Sequence, residues 1–146
     1  MQKISVIIPA YNQEKYISRC LRSLLGQSIP KNLYEIIVIN DASSDNTLEI
    51  IKKFSNDLKI INNNENKGLP FSLNLGIKEA SGSFIVRVDS DDYVNEKFLM
   101  YLSDFLSDNP NIDAIASDYL IVDDKEEVLS RENSSNAPIA CGIMFR

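Results

Sequence analysis

Val88-Asp89-Ser90-Asp91-Asp92 is the stretch around which we expect this chain to fold. It follows the apolar run 83–88, typical of a buried strand, and precedes a helical pattern that begins at Asn95. Three carboxylates in a loop repel one another, which pushes at least one of them towards the neutral form. A divalent cation such as Mg²⁺, Mn²⁺ or Ca²⁺ would relieve the repulsion, because these ions prefer hard oxygen ligands. A solvated turn that caps the helix is the alternative.

The composition indicates one globular domain without a nucleic-acid surface. The chain has 146 residues, of which 44% are hydrophobic and 25% are charged, enough to bury a core. Its 15 Lys and Arg against 21 Asp and Glu give a net charge of −6 without a basic block. That balance argues against binding to nucleic acid or to an anionic membrane patch.

Histidine is missing from the sequence, which excludes Ser-His-Asp and Cys-His catalysis and His-ligated zinc. The two cysteines, Cys20 and Cys141, are too few for a structural zinc site. Cys20 lies on an apolar helical face, so we interpret it as a small buried hydrophobe in a reducing, cytoplasmic compartment. No apolar run reaches 18 residues, and the first strand begins too early for a signal peptide, so neither a membrane span nor a leader is expected.

Short apolar runs alternate with helical patterns along most of the chain, which predicts an α/β fold. The expected architecture is a doubly wound, mostly parallel sheet with helices on both faces. Strands are predicted at 4–8, 35–39, 58–61, 83–88, 112–117, 119–122, 128–131 and 139–145. Helices are predicted to begin near Asn12, Asn46, Pro70 and Asn95. Asn12 is the expected cap of the first, and Asn46 with Glu49 has capping-box spacing.

Polar clusters follow three of the predicted strands, at 9–12, at 40–41 and at 89–92. In a doubly wound sheet the carboxyl ends of the strands share one edge, so the clusters can converge on one ligand. No strand is followed by a Gly-rich dinucleotide fingerprint or a P-loop. Phosphate binding through a metal is therefore favoured over binding in a glycine cradle.

These clusters resemble the motifs of family 2 glycosyltransferases, which have the GT-A fold. The run Val6-Ile7-Ile8-Pro9-Ala10-Tyr11-Asn12 resembles the family's opening, and 39–47 resembles its second motif. The segments 65–68, 74–77 and 80–82 are similar to its third motif, and Asp89-Ser90-Asp91-Asp92 to its DxD motif. The four matches occur in the family's order and cover most of residues 3–122.

The resemblance implies roles for individual residues. Pro9, Ala10 and Tyr11 would line the nucleotide pocket, Asp41 would bond the base, usually uracil, and Lys67 would contact the ligand from a mobile loop. Without the resemblance, Tyr11 is a half-buried aromatic at a strand end, Asp41 a turn former and Lys67 an ordinary solvated lysine.

The acidic loop is implied to hold the cofactor, a divalent metal, Mn²⁺ or Mg²⁺. Asp91 would be the principal metal ligand, and Asp89 would lie near both ribose and metal. Asp92 would orient the loop or cap the segment after it. Asp45 is assigned to helix capping.

Three positions depart from the family's pattern. Asn40 replaces the first Asp of the second motif. Ala42 stands where Gly is usual, so a turn with positive φ would be strained there. Leu73 occupies a place where the family often has Arg. None of these departures touches the acidic loop.

The implied activity is inverting transfer of a sugar from a nucleotide-diphosphate donor, with UDP the expected nucleotide, to a hydroxyl of a saccharide or lipid-linked acceptor. Such transfer serves cell-surface polysaccharide or glycoconjugate synthesis. Peripheral association with the inner face of the membrane and homodimer formation are both compatible with this interpretation. The alternatives are a non-catalytic nucleotide-sugar-binding or assembly module of the same fold and, more weakly, a nucleotidyltransferase.

Inverting transfer needs a general base, and we identify none within the sequence. We therefore expect residues 1–146 to be a single nucleotide-sugar-binding domain, truncated before the acceptor-binding part, with the base beyond Arg146. The strand 139–145 would then have an exposed edge or a partner surface.

Overall fold

Alternating strands and helices build the computed structural model, which describes residues 2–137 and 139–146. The helices are α1 (Ile17–Leu25), α2 (Thr47–Lys52), α3 (Leu69–Glu79) and α4 (Phe98–Asp108). The strands are β1 (Ile4–Ala10), β2 (Tyr34–Asn40), β3 (Lys59–Asn62), β4 (Phe84–Arg87), β5 (Ala114–Ala116), β6 (Tyr119–Val122), β7 (Val128–Glu132) and β8 (Ile143–Phe145). A 3₁₀ turn, Lys31–Leu33, leads into β2.

Six strands form one sheet in the order β3-β2-β1-β4-β8-β5. The pairs β2–β3, β1–β2 and β1–β4 are parallel, whereas β8 is antiparallel to both of its neighbours. The hairpin β6–β7 forms a separate two-stranded sheet. The predicted mostly parallel α/β sheet is confirmed.

The parallel register sets the level at which each strand ends. Ala10 pairs with Asn40, and Asn40 pairs with Asn62, so β1, β2 and β3 finish side by side. Arg87 pairs with Ile7, which places the loop after β4 beside the end of β1. The loops after these four strands therefore meet at one edge of the sheet.

Helices cover both faces of the sheet. One face buries Val6, Ile8 and Val38 against α1, α4 and Ile51 of α2. The other face buries Ile7, Ile37 and Ile39 against the apolar side of α3. Alternate residues of each strand thus belong to different clusters, as the pleat of a strand requires.

Close approach of α3 to the sheet depends on Gly76. A Cβ atom at this position would lie 2.5 Å from Ile7 Cγ2 and 2.9 Å from Ile39 Cδ1. Both neighbours are buried core side chains, so neither can move aside freely. Gly76 therefore fixes how deeply α3 packs beneath the edge that carries the loops.

The predicted cap at Asn12 is wrong, and of the two cap candidates before the second helix, Asp45 and Asn46, Asp45 makes the contact. Helix α1 begins at Ile17, five residues after Asn12, because Asn12 takes a left-handed conformation (φ 53°) in the loop. The Asn46 side chain donates a hydrogen bond to the Glu14 carboxylate. At the start of α2 the Thr47 N–H donates to the Asp45 carboxylate. Asp45 does the capping assigned to it.

The last strand differs most from its prediction. Only Ile143–Phe145 is extended, and β8 lies between β4 and β5 with Met144 fully buried. The expected exposed edge at 139–145 is therefore wrong for β8, and β5 forms the edge instead; Pro138, just before the predicted strand, lies outside the described residues. Phe105 of α4 is 41% exposed, although it is a large apolar residue.

Across residues 2–137 and 139–146, none of the helices combines the length and the apolar character needed to cross a membrane.

The variant Gly76→Ala should lower the free energy of unfolding by about 1–3 kcal/mol, which is typical of overpacking in a core. Alanine would otherwise favour the helix by about 1 kcal/mol, so the sign of the change reports the clash with Ile7 and Ile39. Urea denaturation measures it. Asn74→Ala, on the exposed side of α3, is the matched control and should be neutral or slightly stabilising; a stabilised Gly76→Ala protein would contradict the packing argument.

Candidate functional site

An open cleft of about 310 Å³ lies at the edge where β1, β2 and β4 end. Its walls come from the loops after these strands and from the start of α3. The three predicted polar clusters therefore converge, as expected. The lining residues are Pro9, Ala10, Tyr11, Gln13, Asp41, Asn66, Gly68, Leu69, Ser72, Arg87, Asp89, Ser90 and Asp91.

Side chains and backbone bind the loops after β1 and β2 to each other. The Asn12 N–H donates to Ser43 Oγ over 3.1 Å, and Asn12 Oδ1 accepts from the Ser44 N–H over 2.8 Å. In the loop after β2, Ala42 takes a φ of 57°. The strain expected at this non-glycine residue is present, and the contacts across the loops offset its cost.

Asp41 is a buried carboxylate that the protein itself surrounds with donors. Only 4% of the residue is exposed. Its Oδ1 accepts from Asn63 Nδ2 (2.7 Å) and from the Lys67 N–H (3.0 Å), and its Oδ2 accepts from the Gly68 N–H (2.8 Å). Each carboxylate oxygen has two lone pairs, so these three donors leave one on Oδ2, and Asp41 lines the cleft.

These hydrogen bonds decide the charge of Asp41. Burial alone raises the pKa of its carboxyl group, but the bonds from Lys67, Asn63 and Gly68 outweigh burial and hold the pKa below its ordinary value. Asp41 is therefore an ionised acceptor at neutral pH.

The other predicted nucleotide contacts divide into two groups. Pro9 and Ala10 form the floor of the cleft, and Tyr11 is 46% exposed at its side, so a planar ring can reach the tyrosine face. Lys67 contributes its backbone N–H to Asp41, while its Nζ lies 3.7 Å from Glu65 Oε1 and 4.8 Å from the Phe71 ring centroid. The lysine side chain is thus engaged outside the cleft lining.

Arg87 is a site residue that the sequence pattern did not indicate. Its Nε and one terminal nitrogen donate to the two oxygens of Asp89, over 2.6 and 3.0 Å. The two residues are separated by one position, so both side chains leave the strand on the same side. The spacing of Arg87 and Asp89 could have indicated that the two side chains interact. The apolar pattern of 83–88 by itself predicts only a buried strand.

The acidic loop is held on one side by Cys141. The Cys141 thiol donates to Asp92 Oδ2 over 3.0 Å and accepts from the Asp89 N–H over 3.3 Å. Burial and the neighbouring Asp92 raise the pKa of this thiol, so it is protonated. Desolvation and the nearby carboxylates of Asp91 and Asp89 raise the pKa of Asp92, against the effect of the thiol. The expected mutual repulsion is thus visible at Asp92.

Arg19 of α1 holds the loop on its other side. Its guanidinium donates to the backbone carbonyl of Asp91 (3.0 Å) and to the Glu126 carboxylate (3.1 Å) in the turn of the β6–β7 hairpin. It also lies 4.4 Å from the centroid of the Tyr93 ring. Because the backbone of Asp91 is fixed in this way, its carboxylate is presented at the cleft wall.

The donors at this edge fit a hard divalent ion. Asp89 and Asp91 both line the cleft, while ligand atoms of Asp89, Asp92 and Cys141 lie within 4.8 Å of one another. Because the thiol is protonated, the available ligands are carboxylate oxygens, which suit Mg²⁺ or Mn²⁺. Asp92, which the sequence assigned to orienting the loop or capping, thus has a ligand atom near that of Asp89.

The sequence matches the family model for glycosyl transferase family 2 over residues 5–139. This chain belongs to that family. Poly(ribitol-phosphate) beta-N-acetylglucosaminyltransferase TarS of Staphylococcus aureus is 42% identical over 112 residues, which are 75% of this chain and 20% of TarS. Poly(ribitol-phosphate) beta-glucosyltransferase of Bacillus spizizenii is 43% identical over 112 residues, 73% of this chain and 18% of that protein. The family predicted from the motifs is confirmed.

Solved structures agree with the family membership. The crystal structure of S. aureus TarS 1–349 in complex with UDP-GlcNAc has a TM-score of 0.73 and 40% identity to this family 2 chain. The likeness covers 78% of this chain and 33% of that one, and it confirms the GT-A fold. The chain spans about a fifth of the length of the two curated relatives named above.

The variant Asp41→Asn should destabilise the protein in a pH-dependent way. A lowered folded-state pKa contributes stability above the unfolded pKa, about 3.9, and this stability is lost as pH falls through the folded pKa. Near neutral pH we expect a loss of about 1–3 kcal/mol, because the amide also turns a donor towards N–H groups. The difference from wild type should shrink as acid protonates Asp41.

Urea titrations of both proteins across the acidic range measure this difference. Asp104→Asn, an exposed carboxylate on α4, is the control and should change stability by no more than about 0.5 kcal/mol. A difference between wild type and Asp41→Asn that stays constant with pH would contradict the assignment of an ionised, donor-surrounded carboxylate.

Proposed function

We propose that this chain binds the donor in an inverting glycosyltransferase that uses a UDP-sugar and a divalent metal. The observation that carries the proposal is that Tyr11, Asp41 and the acidic loop line the same cleft in a chain of family 2. An aromatic face, an ionised acceptor and an acidic edge are complementary to a base, its N–H group and a metal-bound diphosphate. The TarS complex with UDP-GlcNAc supports the choice of nucleotide.

In this proposal Tyr11 stacks on uracil, and Asp41 accepts from the uracil N3–H through the remaining lone pair of Oδ2. Pro9 and Ala10 form the surface against which the nucleoside rests. Lys67 acts through its backbone: its N–H keeps Asp41 ionised and oriented. The Asp41 contact favours a base with a suitably placed N–H, as uracil has at N3.

Asp91 and Asp89 are the residues we propose to hold the metal, with Asp92 beside them. Mn²⁺ or Mg²⁺, when bound, supplies charge neutralisation to the diphosphate that leaves in sugar transfer. The chain's own part is to keep the carboxylates in place. Arg19 does so by fixing the Asp91 backbone, and Cys141 by joining Asp92 to the Asp89 N–H.

We also propose the class of acceptor and the source of the general base. The two relatives act on poly(ribitol-phosphate), as their names state. We propose a saccharide or lipid-linked hydroxyl acceptor of a cell-surface polymer, used at the cytoplasmic side of the membrane. Residues 1–146 form the donor-binding domain, and the general base comes from outside them.

Calorimetry with UDP tests the function directly. We expect UDP to bind in Mn²⁺ or Mg²⁺ and not in EDTA. Asp91→Asn should weaken UDP binding in Mn²⁺ at least about tenfold, because it removes a charged ligand. Without ligand its stability should change by no more than about 0.5 kcal/mol, since the side chain is exposed.

Asp104→Asn removes an exposed carboxylate on α4, outside the cleft lining, and should bind UDP like wild type. Equal UDP affinity in EDTA and in Mn²⁺ would refute the metal's role. A large loss of stability in Asp91→Asn without ligand would instead favour a structural turn at 89–92.

A further inference from the structure

Arg87 is the one cation among the described residues that line the cleft. Its side chain is 19% exposed and lies against Asp89, whose side chain is 31% exposed. Other basic groups nearby are engaged elsewhere: Arg19 holds Asp91 and Glu126, and Lys67 lies beside Glu65. A partly buried guanidinium costs desolvation energy, and a paired carboxylate offsets that cost.

The Arg87–Asp89 pair competes with the proposed metal for the same oxygens. Both carboxylate oxygens of Asp89 accept from Arg87, over 2.6 and 3.0 Å. A divalent ion that takes one of these oxygens as a ligand weakens the pair. The guanidinium would then be left in the cleft wall without its counter-charge.

A nucleoside diphosphate can supply that counter-charge. It carries more negative charge than one divalent ion neutralises, so its complex with the metal remains an anion. The planar fork of arginine binds two phosphate oxygens in the same way as two carboxylate oxygens. The diphosphate must lie near the metal ligands, and Arg87 is adjacent to one of them.

We propose that Arg87 exchanges Asp89 for the donor's diphosphate when the metal–nucleotide complex binds. In the resting protein Arg87 holds Asp89; in the loaded protein Asp89 faces the metal and Arg87 donates to phosphate oxygens. Arg87 is thus a phosphate-binding residue, and this inference rests on the proposed function. It also explains how a cleft with an acidic loop accepts an anion without a glycine cradle.

A double-mutant cycle with Arg87→Gln and Asp89→Asn separates direct phosphate binding from mere support of Asp89. With saturating Mn²⁺, Arg87→Gln should weaken UDP about 10- to 100-fold and leave uridine binding unchanged. In the Asp89→Asn background the same substitution should still weaken UDP by a comparable factor. If it has no effect in that background, Arg87 acts only through Asp89 and the inference is overturned.

Mn²⁺ binding without nucleotide gives a second, independent readout by electron paramagnetic resonance. Removing the competing guanidinium should raise the Mn²⁺ affinity of Arg87→Gln above that of wild type. In the Asp89→Asn background the substitution should leave Mn²⁺ affinity nearly unchanged. Lower Mn²⁺ affinity in Arg87→Gln would show that Arg87 supports the metal site and does not compete with it, contrary to the proposal.

Two further variants guard against misfolding. Arg87→Lys keeps the charge and loses the fork, so its UDP affinity should fall between those of wild type and Arg87→Gln. Arg131→Gln breaks a comparable pair with Asp118 on the hairpin, outside the cleft lining, and should bind UDP like wild type. If wild type itself fails to bind UDP in Mn²⁺, the proposed function fails. If wild type binds UDP in Mn²⁺ and the Arg87 variants bind it equally well, this inference alone fails.

Discussion

The candidate site depends first on the hydrogen bonds that surround the Asp41 carboxylate. A buried charge at the end of a parallel strand would be costly if its oxygens lacked donors. Here N–H groups from Asn63, Lys67 and Gly68 donate to the carboxylate. These hydrogen bonds join the end of β2 to the loop that leads into α3. The Gly68 N–H reaches the carboxylate from a residue with a φ of 83°, a conformation suited to glycine. One ionised side chain thus fixes the cleft wall and keeps a lone pair for a ligand.

The acidic loop shows a second balance, in which each of its three aspartates is held by another protein group through its side chain or its backbone. Arg87 pairs with Asp89, the Cys141 thiol pairs with Asp92, and Arg19 fixes the backbone of Asp91. These groups come from β4, from the segment before β8 and from α1. Like charges can remain close because a guanidinium neutralises Asp89 and a thiol donates to Asp92. The loop is therefore shaped before any ligand arrives, which lowers the ordering cost of binding.

The α/β architecture and the shared edge could be predicted because strand and helix periods are local properties of the sequence. Asp41 and Asp89 are predictable by the same logic, since polar residues directly after buried strands meet at one edge of a parallel sheet. Arg87 is not, because it lies within a strand, where a single charged residue does not change the apolar pattern. Asn12 resembles a helix cap because asparagine favours both caps and left-handed loop positions, and the contact with Ser44 that decides between them joins two loops distant in sequence. The place of β8 depends on pairing with strands far away in sequence, which local patterns do not encode.

The position of β8 in the middle of the sheet has a consequence for how the chain is made. β4 is synthesised well before its neighbour β8, so during translation one side of β4 has unpaired backbone N–H and C=O groups. Until β8 inserts, β5 also lacks the strand that joins it to the sheet. A nascent chain at this stage has an exposed strand edge that can pair with other chains. Because pairing between strands distant in sequence is slow, association with other chains competes with insertion of β8. Chaperones that cover exposed strands would bind at this stage. Substitutions of the buried Met144 that weaken the packing of β8 should reduce the yield of folded protein more than the loss of stability alone suggests.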